Sequence, residues 1–129
     1  MIRTAVAIAV LAMSVSGAFA QGDVAAGEQV FKKCMSCHAI GEGAKTKVGP
    51  ELNQLIGRVA GSVEGYSYSD AMVAAGKGGL VWGPDTLTPF LTKPKDVVAG
   101  TKMSFPGLPK PEDVANVIAY LQTFSTPAQ

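Results

Sequence analysis

The apolar positions of this chain follow helical spacing in four separate stretches, and no stretch alternates apolar and polar residues as a half-buried strand would. Val24, Gly27, Val30 and Phe31 predict a helix over 22–33, with Asp23 as its N-cap. Gly27 weakens that helix by about 1 kcal/mol relative to alanine, so its place on the apolar stripe predicts the close approach of another helix. Ala71, Met72, Ala74 and Ala75 predict a short helix over 69–75 ended by Gly76, with 76–79 as a turn. A third helix is expected over 85–91, broken by Pro94. The last opens at Pro111-Glu112-Asp113, proline and two acids at its positive end, and its stripe is Val114, Val117, Ile118, Leu121 and Phe124. Glycines from Gly41 to Gly65 make 39–65 loop, and the glycines and prolines of 99–111 exclude regular structure there. The fold expected is all-α, short helices and long loops, with no internal repeat and a polypeptide core too thin to stand without something large and apolar at its centre.

One further apolar run is not part of that fold. Arg3, the stretch from Ala5 to Val15, and Ala18-Phe19-Ala20 have the order of a secretory signal peptide with a small-x-small cleavage site. The run is shorter than the about 20 residues that cross a bilayer, although an uncleaved N-terminal anchor is the other reading. The division expected is a cleaved signal peptide over 1–20 and a single domain over 21–129, exported to the periplasm.

The chemistry is carried by Cys34-Met35-Ser36-Cys37-His38, which holds both cysteines and the only histidine of the 129 residues. A Cys-x-x-Cys-His run is the attachment signature of a c-type haem, two thioethers and an axial imidazole. A zinc site would need further ligands, and the chain has no other Cys or His to supply them. A thioredoxin-like redox pair would follow a strand, and none is predicted before Cys34. A disulfide between residues so close would add little stability. The other axial position falls to another side chain, to water, or to nothing. Methionine sulfur complements histidine on haem iron and raises the potential. Met35 lies within the attachment loop on the His38 side, Met72 sits in an apolar helical patch that suits a core role, and Met103 stands in a Gly- and Pro-rich loop with no helical periodicity. Met103 is therefore the candidate.

Charge changes the picture only in its distribution. Without Arg3, the 11 lysines and arginines become 10 against 10 acids, a neutral chain that argues against nucleic acid as a partner. Lys32, Lys33, Lys45 and Lys47 gather around the haem motif, and Lys93, Lys95 and Lys102 near the candidate methionine, which suggests a basic rim.

From Gly22 to about Phe124 the chain resembles class I cytochrome c, in particular the bacterial periplasmic c-two relatives of mitochondrial cytochrome c. The matching residues are Gly22-Asp23-Val24, Phe31, the 34–38 motif, Val48-Gly49-Pro50, Gly57-Arg58, Tyr66 to Asp70, Trp82, Pro94-Lys95, Gly100 to Met103 and Ile118 to Leu121. The resemblance implies the class I cytochrome c fold around one covalent haem c, with His38 and Met103 on the iron. It implies that the Pro50 carbonyl orients His38, that Arg58, Tyr68, Ser69 and Trp82 hydrogen-bond a buried propionate, and that Thr101 holds the other. It also implies that Gly27 and Phe31 meet Tyr120 and Leu121. Phe90 and Met72 depart from the mitochondrial pattern and make the pocket more apolar.

The function expected is a soluble, monomeric one-electron carrier, not an enzyme, in a respiratory or photosynthetic chain. By resemblance it runs from a quinol–cytochrome c oxidoreductase to a terminal oxidase or a photosynthetic reaction centre. Acidic partner surfaces would be met through Lys32, Lys33, Lys47, Lys95 and Lys102, with no nucleic acid and no stable membrane insertion. The alternative is a haem protein with a labile sixth ligand, acting as a small-ligand sensor or weak peroxidase.

Overall fold

A computed structural model of the chain describes residues 22–126; the predicted signal peptide lies outside the described residues. Among the described residues five helices run in the order α1 (Val24–Phe31), α2 (Asp70–Lys77), α3 (Pro84–Thr92), α4 (Pro94–Val97) and α5 (Pro111–Gln122). Among the described residues the only β pairing is an isolated antiparallel bridge between Val59 and Val81. None of the described helices is long and apolar enough to cross a membrane.

The first and last helices form the frame. Asp23 caps α1 as expected, its carboxylate accepting the Ala26 N–H at 2.7 Å. Its own N–H donates to Asn116 Oδ1 of α5 at 2.8 Å, tying the two helices at the cap. Gly27 faces Asn116 and Tyr120, and a Cβ there would stand 2.9 Å from Tyr120 Cβ and closer still to the Asn116 carbonyl. Phe31 then meets Tyr120 with ring centroids 5.4 Å apart. Val114, Val117, Ile118 and Leu121 of α5 are buried on the predicted stripe. Phe124 lies beyond the last helical turn, its ring 5.1 Å from Tyr120.

Helix α1 is two residues shorter at each end than the 22–33 expected, and the boundaries at Gly76 and Pro94 differ as well. Gly76 does not end α2, which continues to Lys77 with Gly78 as C-cap. The glycine is there for room: a Cβ would stand 2.9 Å from the Ala60 carbonyl carbon, where the 59–60 loop crosses the helix. Pro94 ends α3 and also opens α4, because a proline lacking N–H fits the first position of a new helix.

Candidate functional site

The attachment run starts where α1 stops. Cys34 N–H donates to Phe31 O at 2.8 Å, and Cys37 and His38 N–H both donate to Cys34 O, at 3.1 and 2.9 Å. The chain thus keeps winding, and residues three and four apart on such a winding share a face. Cys34, Cys37 and His38 all line one cavity of about 420 Å³. Cys34 and Cys37 are not joined in a disulfide, so both sulfurs are left for attachment. Before haem is attached, burial pushes the Cys34 thiol's pKa up, Cys37 adds to the rise and Lys33 opposes it.

The loop after the motif fixes the imidazole. Gly49 N–H donates to Cys37 O at 2.8 Å and Leu52 N–H to Ala39 O at 3.0 Å, so 49–52 lies against 37–39. A Cβ on Gly49 would come 2.8 Å from His38 Nδ1 and 2.9 Å from Nε2, so the ring fits only against glycine. His38 Nδ1 sits 2.7 Å from Pro50 O. A carbonyl only accepts, so Nδ1 carries the proton and Nε2 keeps its lone pair for a metal. Burial lowers the imidazole's pKa; the Pro50 bond opposes the drop, and Arg58 and Lys47 add to it. The neutral ring, the form that ligates iron, is favoured.

Met103 reaches the same cavity from the loop between α4 and α5 and is half-buried. Its N–H donates to Thr101 Oγ1 at 3.3 Å. Met72 also lines the cavity, but from the core face of α2. Met35 is 52% exposed and is not part of the lining.

Arg58, Tyr68, Ser69, Trp82 and Thr101 are brought together on that lining as well. Tyr68 Oη accepts the Val63 N–H at 3.1 Å and Ser69 Oγ, capping α2, accepts the Met72 N–H at 3.1 Å. With Thr101, this makes three hydroxyls that accept a backbone N–H and whose own protons find no acceptor among the described residues. Burial raises the Tyr68 phenol's pKa, against the Val63 N–H and Arg58, and so keeps it a donor. Trp82 packs on Phe90 at 4.7 Å between centroids. A mainly apolar wall of Phe31, Leu55, Phe90 and Leu121 with unspent donors beside an arginine fits haem, a flat apolar ring bearing two carboxylates.

A protein-family model for cytochrome c matches residues 24–125. The chain belongs to the cytochrome c family. It is 55% identical over 111 residues to cytochrome c2 of Agrobacterium tumefaciens, covering 84% of this chain and all of that one. Cytochrome c of the plant Sesamum indicum is 50% identical over 103 residues, covering 78% and 89%. Among solved structures, cytochrome c2 from Rhodospirillum centenum superposes with a TM-score of 0.79 at 40% identity, covering 81% of this chain and all of that one. As a c-type cytochrome, the chain carries one haem attached covalently through Cys34 and Cys37, and it transfers electrons to and from other proteins rather than turning over a substrate. The expected all-α fold is the cytochrome c fold.

The sequence pointed to none of the contacts around Glu51 and Asn53. Glu51 Oε1 pairs with Arg58 at 3.1 Å, and Asn53 both donates to and accepts from the Gly41 backbone, at 2.7 and 2.8 Å. Both sit in an irregular loop, where spacing says nothing about which side chains meet. The lysines also differ among themselves. Lys32 donates to Gln29 Oε1 at 2.7 Å and Lys47 to Met35 O at 2.8 Å, while Lys102 donates to Ser67 O and stands 4.6 Å over the Tyr66 ring. Lys33 and Lys95 make no such contact among the described residues and are exposed.

Proposed function

We propose that this cytochrome c is a soluble periplasmic carrier of single electrons, with His38 and Met103 as the axial ligands of its haem iron. The observation that carries this reading is the convergence of an oriented His38, its Nδ1 spent on Pro50, and Met103 from a distant loop on one cavity. Haem iron supplies a reversible one-electron couple. The chain's part is to hold both ligands in place through either oxidation state and to keep water out with an apolar wall. Arg58, Tyr68, Ser69, Trp82 and Thr101 serve the propionates, since a buried carboxylate needs partners.

The pattern of residues 1–20 supports export to the periplasm. By resemblance the donor is a quinol–cytochrome c oxidoreductase and the acceptor a terminal oxidase or photosynthetic reaction centre. Docking falls to the lysine rim of Lys32, Lys33, Lys47, Lys95 and Lys102, which steers the chain to acidic surfaces in small, transient encounters. Lys33→Glu and Lys95→Glu are expected to slow electron exchange with such a partner by about tenfold at low salt, and hardly at all at high salt. Stopped-flow rates across ionic strength check this; equal slowing at every salt concentration would argue against steering.

Visible spectra of the matured protein, oxidised and reduced, with and without carbon monoxide, test the ligation. Sharp low-spin bands that carbon monoxide leaves unchanged are expected. A carbon monoxide shift would mean an open or labile sixth position and would bring the ligand-sensing alternative forward.

A further inference from the structure

Arg58 and Glu51 form the one ion pair found among the described residues, and its arginine lines the cavity wall with Glu51 directly behind it. The arginine side chain is 11% exposed and the glutamate 24%. Three of the five guanidinium N–H groups are committed to a single loop: Nη1 donates to Glu51 O at 2.9 Å, and Nη2 donates to Glu51 Oε1 at 3.1 Å and to Asn53 O. The glutamate is fixed from its other side, where Oε2 accepts the Asn53 N–H at 2.7 Å. Its backbone neighbour Pro50 is the residue that holds His38. A surface pair of two mobile side chains contributes little; this one is half-buried and anchored at both ends, so its charge acts at a fixed place.

We propose that Glu51 is a positioning residue for electron transfer: by holding the Arg58 guanidinium and drawing on its positive charge, it lowers the midpoint potential of the haem. This rests on the reading that Arg58 serves a haem propionate. The reasoning is electrostatic. Oxidised haem carries one more positive charge than reduced haem, so a fixed negative charge nearby favours the oxidised form. Glu51 supplies such a charge and also uses part of the guanidinium field that would otherwise offset the propionate. Both effects act in the same direction, and the low solvent exposure of the pair limits screening.

The test is a double-mutant cycle read by the midpoint potential of the matured protein, with the low-spin spectrum as the check on folding. Glu51→Gln keeps an oxygen for the Asn53 N–H and removes the charge, and is expected to raise the potential. In an Arg58→Gln background the same change is expected to shift the potential less, because the part that acts through the guanidinium is gone, the carboxylate has lost the partner that fixes it, and only its direct charge remains. If Glu51→Gln leaves the potential unchanged while Arg58→Gln lowers it, the proposal fails and the role of Arg58 stands. Equal upward shifts in both backgrounds would overturn action through Arg58. If neither single change moves the potential, the propionate reading of Arg58 falls, and the proposal with it.

Discussion

Met103→Ala is expected to leave the haem attached and to open the iron: the low-spin spectrum gives way to a high-spin or ligand-exchanged one, carbon monoxide binds, and the potential drops strongly. The two halves of this outcome separate because the structure separates their causes. Attachment belongs to Cys34 and Cys37, wound onto the end of α1. The methionine belongs to a loop whose path does not depend on its sulfur. Thr101 N–H donates to Val98 O at 3.0 Å, Phe105 N–H to Met103 O at 3.0 Å, and Leu108 N–H to Leu91 O at 2.8 Å. Lys102 ties the same loop across to Ser67 O. On the proposed ligation, removing the methionine sulfur therefore takes away a ligand and leaves its frame. The potential falls because sulfur ligation favours the reduced iron. Met72→Leu is the control, since Met72 lines the cavity from a helix with only 9% of its surface exposed. It should keep the low-spin spectrum at a modest cost in stability, less than about 1.5 kcal/mol for a volume-conserving swap. A Met103→Ala protein with the unaltered spectrum would show that the sixth ligand lies elsewhere.

What could be read from the sequence followed how local each constraint is. The 34–38 run is legible because covalent attachment and ligation by one winding of chain need contiguous residues. Apolar stripes revealed where α1 and α5 lie and that Gly27 invites a neighbour, since both follow from helical periodicity. The end of α2 lies beyond its expected place because a glycine reads as a stop, whereas Gly76 answers to a crossing loop sixteen residues upstream. Glu51 was invisible for a similar reason. Its meeting with Arg58 depends on the loop's turns, including left-handed backbone at Gln54 (φ 54°) and Gly57 (φ 90°), which no periodicity encodes. Gln54 is held in that conformation by the chain end: its N–H donates to Phe124 O at 3.0 Å, and its side chain trades hydrogen bonds with Thr126 at 2.6 and 2.8 Å. The resemblance named Pro50, Arg58, Tyr68, Ser69 and Thr101 as a set, and the structure gathers them at one cavity with hydroxyl donors unspent.

Gly27→Ala is expected to destabilise the matured protein by about 2 kcal/mol or more, although alanine is the better helix former. Propensity favours the change by about 1 kcal/mol. Against it stands the added methyl, 2.9 Å from Tyr120 Cβ and closer to the Asn116 carbonyl, atoms of a helix backbone and stem that cannot swing aside. Relief requires α1 and α5 to part, and parting strains the Asp23–Asn116 bond and the Phe31–Tyr120 stack together. Overpacking costs about 1–3 kcal/mol and at times more; a clash this close with helix backbone belongs at the top of that range, about 3 kcal/mol or more, so about 2 kcal/mol or more of destabilisation is left after the propensity gain. For a domain of this size each kcal/mol moves Tm by about 4–8 °C, and thermal unfolding followed by circular dichroism should show a drop of about 10 °C or more. Gly78→Ala supplies the contrast. Gly78 has ordinary helical backbone (φ −77°), and its added methyl would meet nothing nearer than 3.4 Å. There the lost freedom of the unfolded chain prevails, and stability should rise by about 0.4–1 kcal/mol. Equal Tm values for the two variants would mean that the α1–α5 crossing yields where the packing says it cannot.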